Sequence, residues 1–225
     1  MNVKIFLPCR SGSQRVKNKN IKKFHKYKFG LFELKIKQLI KIKQLKKIIV
    51  STDDYNIIKY LKKLNHNNIE CNIRPKYLSN SSTKTDELIV YASKLFDTND
   101  HILWTHVTSP FFDHKEYEKA IKLYKKNLKK NDSLMGVTKI QDYIYYKNKP
   151  INFNPKKVKW PNTQTLKKLF IVNNTIFLSS KKNYIKYNNR IGRNPFLMEI
   201  KKIKSFDIDW PEDFKIAENI QKNYN

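Results

Sequence analysis

The hydrophobic period of this chain switches between about two and about 3.6 residues again and again, and that alternation restricts its fold more than any single motif does. Asn2 to Pro8 (NVKIFLP) is an apolar run stopped by proline, which reads as a first buried strand. Leu31 to Leu45 carries apolar residues at helical spacing, and Lys47 to Ser51 (KIIVS) returns to strand character before Thr52-Asp53-Asp54. Tyr55 to Leu64 reads as helix, Glu70 to Ile73 as a short strand, and Thr85 to Phe96 as a helix that Thr83 or Thr85 would cap. His101 to Thr105, Lys115 to Lys126 and Ser133 to Thr138 continue as strand, helix, strand. Strands alternating with helices in this order predict an α/β fold, doubly wound, with a mostly parallel sheet and helices on both faces.

The rhythm breaks after Thr138. Asp142 to Trp160 (DYIYYKNKPINFNPKKVKW) mixes aromatics with prolines, so a small arm or hairpin is expected at about 139–170, either as a contact with a second subunit or folded back on its own sheet. Strands resume at Leu169 to Leu178 and Phe196 to Ile203, and Pro211, Glu212 and Asp213 suit the first turn of a closing helix. No repeat or linker divides residues 1–225, which read as one domain.

Charge adds a constraint on partners. The 47 Lys+Arg against 19 Asp+Glu give a formal net charge of +28, yet only Arg10, Arg15, Arg74, Arg190 and Arg193 are arginine. Lysine spread along the chain reads as solvated faces rather than a dedicated nucleic-acid surface, although salt-sensitive attraction to polyanions follows either way. No long uncharged apolar run is present, so membrane insertion is not expected. Cys9 and Cys71 form no CxxC pair, and Met1 to Pro8 lacks a signal-peptide layout, which points to a reducing cytoplasm.

In an open parallel sheet, ligands bind beyond the carboxyl ends of the strands. The polar segments there are RSGSQRVKNKN after the first strand, STDD after the second, HVTSPF after the fourth, and FDID near the end. Ser11, Gly12 and Ser13 permit close backbone approach to an anion, and Arg10, Arg15, Lys17 and Lys19 supply charge, which together suit a triphosphate. Neither the Walker A spacing nor GxGxxG occurs, and four glycines in the chain argue against both classes. Asp207 and Asp209 stand at i and i+2, so an extended strand end would put both carboxylates on one side, where Mg²⁺ bridging to phosphate oxygens is a natural occupant; the alternative is an exposed Asp207 and an Asp209 that starts the last helix.

LPCRSGSQRVKNKNI (Leu7 to Ile21) resembles the signature of the acylneuraminate cytidylyltransferases, the CMP-sialic acid synthetases. The resemblance continues through IIVSTDD (Ile48 to Asp54), IRP (Ile73 to Pro75), TKTDELI (Thr83 to Ile89), VTSPF (Val107 to Phe111), Gln164, VNNTIF (Val172 to Phe177) and FDIDWPEDFKIAE (Phe206 to Glu218), covering nearly the whole chain in order. It implies a Rossmann-like nucleotidyltransferase fold, a homodimer, and Mg²⁺-dependent transfer from CTP to an acidic sugar, a sialic-acid-like 2-keto acid, with release of pyrophosphate. A 3-deoxy-octulosonate or a phosphate or phosphonate compound is the alternative acceptor, and a polyanion-binding protein on the same scaffold is the alternative from another class.

Residue by residue, the resemblance implies catalytic roles for Arg10, Lys19 and Asp209, and metal binding by Asp207 and Asp209. Nucleotide contacts are implied for Arg10, Ser11, Gly12, Ser13, Gln14, Arg15, Lys19, Asn20, Ser51, Asp53 and Arg74. Acceptor contacts are implied for His106, Thr108, Ser109, Gln164, Asn173 and Asn174. The sequence departs from the family's pattern at Gln14, where a lysine is usual and Arg15 is the neighbouring charge. It departs again at His106 for glutamine, Asn174 for glycine and Ile171 for a basic residue. The changes fall on acceptor positions more than on phosphate or metal positions.

Overall fold

A computed structural model describes residues 1–223. Its organising element is β1 (Asn2–Pro8), which pairs in parallel with β2 (Lys47–Thr52) on one side and β4 (Asp100–Trp104) on the other. With neighbours on both edges and helices on both faces, β1 has no wet side; Ile5, Phe6 and Leu7 are all fully buried, as the unbroken apolar run requires. Adding β3 (Ile69–Ile73), β5 (Ser133–Ile140), β8 (Leu169–Ser180) and β9 (Pro195–Glu199) gives a seven-stranded sheet in the order β3-β2-β1-β4-β8-β5-β9. Only β8 runs antiparallel, pairing with both β4 and β5.

The period-two alternation sorts side chains between two cores. Ile5, Leu7, Ile48, Val50 and Leu103 face α1 (Gly30–Leu39), α2 (Tyr55–Leu64), α4 (His114–Asn127) and α6 (Pro211–Asn223). Phe6, Ile49, Ile102, Trp104 and Phe177 face α3 (Thr85–Ser93) and α5 (Lys181–Tyr187). Along β5 the register shifts between Met135 and Val137, at Gly136. A Cβ there would lie 2.5 Å from Thr175 Oγ1 and 2.6 Å from Asn173 Oδ1, so the close packing of β8 leaves room only for glycine.

Several boundaries differ from expectation. α1 ends at Leu39 rather than Leu45: the chain leaves the helix in tight turns that still bury Ile42 before β2 begins. Neither Thr83 nor Thr85 caps α3. Thr83 Oγ1 donates to the Tyr77 carbonyl, and the Glu87 carboxylate instead accepts from the Lys84 N–H. β9 stops at Glu199, and the FDID segment lies in no strand. α5 goes unmarked in the sequence because Tyr184 is its only buried residue; its start is fixed by Ser180, whose hydroxyl accepts from the Asn183 N–H. The arm contains one small hairpin, β6 (Tyr145–Tyr146) with β7 (Lys149–Pro150), held at its base by buried Asn152, which donates to the Asp142 carbonyl and accepts from the Ile144 N–H. No helix among the described residues is long and apolar enough to cross a membrane.

Candidate functional site

The loop after β1 folds back along the carboxyl edge of the sheet because its polar groups are pinned there. Asp53, just beyond β2, accepts from the Ser11 N–H at 2.8 Å and from the Ser11 hydroxyl at 2.5 Å. Asn20 is nearly buried and donates to the Arg10 carbonyl. Gly12 sits at φ +66°, and its carbonyl accepts from Arg10 Nη1 at 3.1 Å. The result is a cavity of about 350 Å³ lined by Arg10, Ser13, Gln14, Arg15, Lys19 and Asn20 on one wall and by His106, Val107 and Thr108 on the other.

The FDID segment forms the far rim. Ile208 is fully buried; its N–H donates to the Thr108 carbonyl, and its own carbonyl accepts from Lys19 Nζ at 2.7 Å. Burying the middle residue turns Asp207 and Asp209 together into a second lobe of about 340 Å³, shared with Trp104, His106, Thr108, Asn174 and Arg190. Lys19, His106 and Thr108 line both lobes, so the two are adjoining parts of one cleft. The two carboxylates are held differently. Asp209 pairs with Arg15 at 3.0 Å and with Lys19 at 3.7 Å, whereas Asp207 takes a hydrogen bond from Asn174 on one oxygen and keeps the other buried without a partner. Burial pulls the Lys19 ammonium below its ordinary pKa, while Asp209 and Asp207 act in the opposite direction.

His106 closes the junction of the lobes. Trp104 Nε1 donates to His106 Nε2 at 2.9 Å; an indole only donates, so the imidazole is neutral with its proton on Nδ1. Burial, reinforced by the charges of Arg190, Lys19, Lys35 and Arg74, pushes its pKa down to about 3.

A cytidylyltransferase family model matches residues 5–225, essentially the whole of this cleft and its scaffold. The chain belongs to the cytidylyltransferase family. It is therefore a CTP-dependent nucleotidyltransferase. Over 97% of its length it is 25% identical to an N-acylneuraminate cytidylyltransferase of Escherichia coli, of which it spans only 52%. Two solved structures share the fold. A CMP:2-keto-3-deoxy-manno-octonic acid synthetase complexed with CTP superposes with a TM-score of 0.68 at 11% identity, covering all of both chains. The 2-C-methyl-D-erythritol 4-phosphate cytidylyltransferase of Francisella tularensis superposes at 0.64 and 15% identity, covering 96% of this chain and 98% of that one.

Within this cytidylyltransferase the cleft gathers Arg10, Ser13, Gln14, Arg15, Lys19, Asn20, His106, Thr108, Asn174, Asp207 and Asp209. Other residues expected to meet ligand line neither lobe. Ser11 and Gly12 are spent on loop geometry with Asp53 and Arg10. Arg74 is buried and donates to the Ser51 hydroxyl and carbonyl, tying the end of β2. Ser109 is fully buried, and its carbonyl accepts from Lys35 Nζ. Asn173 lies in β8, donating to Thr138 of β5 and accepting from Thr175. Gln164 sits in a short turn of the arm, where its carbonyl accepts from Gln141. Cys9 is fully buried and burial pushes its thiol up to about 12, so it packs beside the loop and is no nucleophile.

Arg190 and Trp104 are among the cleft residues that escaped sequence reasoning. Arg190 follows α5, an element the hydrophobic pattern did not reveal. Trp104 ends β4 and reads as core, and only its indole N–H marks it as more.

Proposed function

We propose that this cytidylyltransferase transfers CMP from CTP to a small acidic acceptor, with Arg10, Ser13, Gln14, Arg15, Lys19 and Asn20 around the triphosphate and His106, Thr108 and Asn174 beside the acceptor. The observation that carries this reading is the meeting of a basic loop and a pair of carboxylates at Lys19, across two adjoining lobes. An oxygen of the acceptor attacks the α-phosphorus, the bond from that phosphorus to its bridging oxygen breaks, and pyrophosphate departs. A hydroxyl acceptor gives up its proton to water; a phosphate acceptor has none to lose. Arg10 and Lys19 offset charge as it builds on the leaving oxygens, and the loop holds the reacting atoms in line. No covalent nucleophile is required.

The acids fit a divalent cation such as Mg²⁺: Asp207 has an unmet buried oxygen, and two carboxylates plus phosphate oxygens are a usual Mg²⁺ donor set. Asp207 and Asp209 would hold it, and bound there it supplies neutralisation of the phosphate oxygens. Free Cys9 and Cys71 support work in a reducing cytoplasm. Tyr146, Trp160 and Ile171, each more than half exposed along the arm and its neighbouring strand, support a second copy of the chain as the arm's partner.

The test is pyrophosphate release from CTP with Mg²⁺ and each of three acceptors: N-acetylneuraminate, 3-deoxy-manno-octulosonate and 2-C-methyl-D-erythritol 4-phosphate. Release with CTP but not ATP or GTP supports the reading. Failure of CTP with Mg²⁺ to raise the melting temperature contradicts it.

A further inference from the structure

The guanidinium of Arg190 stands over the Phe177 ring at 3.7 Å and faces the Trp104 ring at 5.4 Å. This cation–π contact uses none of its N–H donors. Among the described residues no carboxylate pairs with it and no hydrogen bond reaches it, yet it lines the lobe that contains Asp207, His106 and Asn174. Half-buried arginine without an anion is unfavourable, because the charge loses hydration and gains no partner. The chain just after it is pinned: Asp132 accepts from the N–H groups of Arg193 and Asn194, and a Cβ on Gly192 would lie 2.3 Å from an Asp132 oxygen. An unpaired guanidinium held against two aromatic rings in a cleft is a preorganised oxyanion receptor.

Resting on the reading above, we propose that Arg190 binds the acceptor's own anionic group, carboxylate or phosphate, and thereby makes the negative charge of the acceptor a requirement of the site. The anion meets the N–H groups of Arg190, which its contacts with the aromatic rings leave free. The neighbouring Leu88 offers an apolar wall to the uncharged body of the acceptor. His106, neutral and locked by Trp104, adds no charge of its own, so selection for an anion in this lobe falls on Arg190 and Lys19.

The test is calorimetry of the full chain in the presence of CMP, with N-acetylneuraminate, 3-deoxy-manno-octulosonate and 2-C-methyl-D-erythritol 4-phosphate as probes, each against a neutral counterpart (methyl ester or dephosphorylated polyol). At least one anionic probe should bind, with its neutral counterpart about 50-fold weaker, and Arg190→Gln should remove that preference while Arg190→Lys restores part of it. CTP affinity in Arg190→Gln should stay within about twofold of the parent, which controls for folding. Preference for the acids identifies a carboxylate acceptor; preference for the polyol phosphate identifies a phosphate one. Equal binding of charged and neutral probes, no binding of any anionic probe, or an unchanged preference in Arg190→Gln would overturn the proposal. Loss of CTP binding by the parent chain would instead overturn the nucleotide assignment.

Discussion

At the residue scale the cleft divides charge between side chains whose partners differ sharply. Asp209 is already neutralised by Arg15 and Lys19, whereas Asp207 leaves one oxygen unmatched. Asp207→Asn keeps the shape and removes the charge, so it should lower pyrophosphate release by about 100-fold or more, with little change in melting temperature without ligand. His106 gives a prediction with a definite sign. Its folded pKa, about 3, lies below the ordinary histidine value, so the folded state resists a proton that the unfolded chain accepts. Stability should therefore fall as pH drops from about 6.5 toward 3, and His106→Gln should flatten that part of the curve. The His106 ring resonances should not titrate between about pH 4.5 and 8; a midpoint near 6.5 would show that the Trp104 bond is not made in solution.

At the scale of elements, the loop that forms one cleft wall is braced from behind by α1. Lys35 is fully buried and donates to the carbonyls of Ser109 and Phe112 and to the Tyr117 hydroxyl. Tyr117 in turn bonds Thr105, which donates to the Thr175 carbonyl, so one polar chain links α1, α4, β4 and β8. Burial pulls the Lys35 pKa down to about 7. Lys35→Met keeps the bulk but removes three buried hydrogen bonds and leaves the Phe112 carbonyl unmatched, and should cost about 2 kcal/mol, or roughly 4–8 °C in melting temperature. Most of this scaffold was legible in the sequence because short apolar runs such as Asn2–Pro8 read as buried strands and helical runs such as Tyr55–Leu64 bury one clear stripe of side chains. α5 was not, since one buried tyrosine makes no periodic stripe. The basic loop and the paired aspartates were legible for a different reason: polar residues after strands mark the ligand edge. Arg74 and Asn173 look equally functional in sequence, and only tertiary pairing reveals that they are occupied by Ser51 and Thr138. Arg190 shows the reverse case, a surface-looking arginine whose neighbours Phe177 and Trp104 come from the paired strands β8 and β4.

At the scale of the whole molecule two features bear on association. The first is the arm, where Tyr145, Tyr146, Ile151, Val158 and Trp160 are exposed beside Phe170, Ile171 and Val172 of β8. If a second copy covers this surface, Trp160→Ser with Ile171→Asp should shift the sedimenting species from dimer to monomer; a parent chain that sediments as a monomer at tens of micromolar would remove the arm from that role. The second is the formal charge of +28, which attracts any polyanion at low salt. Nonspecific RNA binding should weaken steeply toward about 0.2 M salt. Binding of CTP in the enclosed cleft should weaken far less, because its contacts are fixed donors rather than a diffuse field.

That contrast selects the decisive measurement: calorimetric titration of CTP with Mg²⁺ into the parent chain, Arg10→Ala and Asp207→Asn at about 0.2 M salt. The account predicts saturable one-site binding of CTP but not ATP by the parent, and a loss of about tenfold or more in each variant. Absence of CTP binding by the parent, or binding that neither substitution changes, would contradict the placement of the triphosphate between the basic loop and the paired acids.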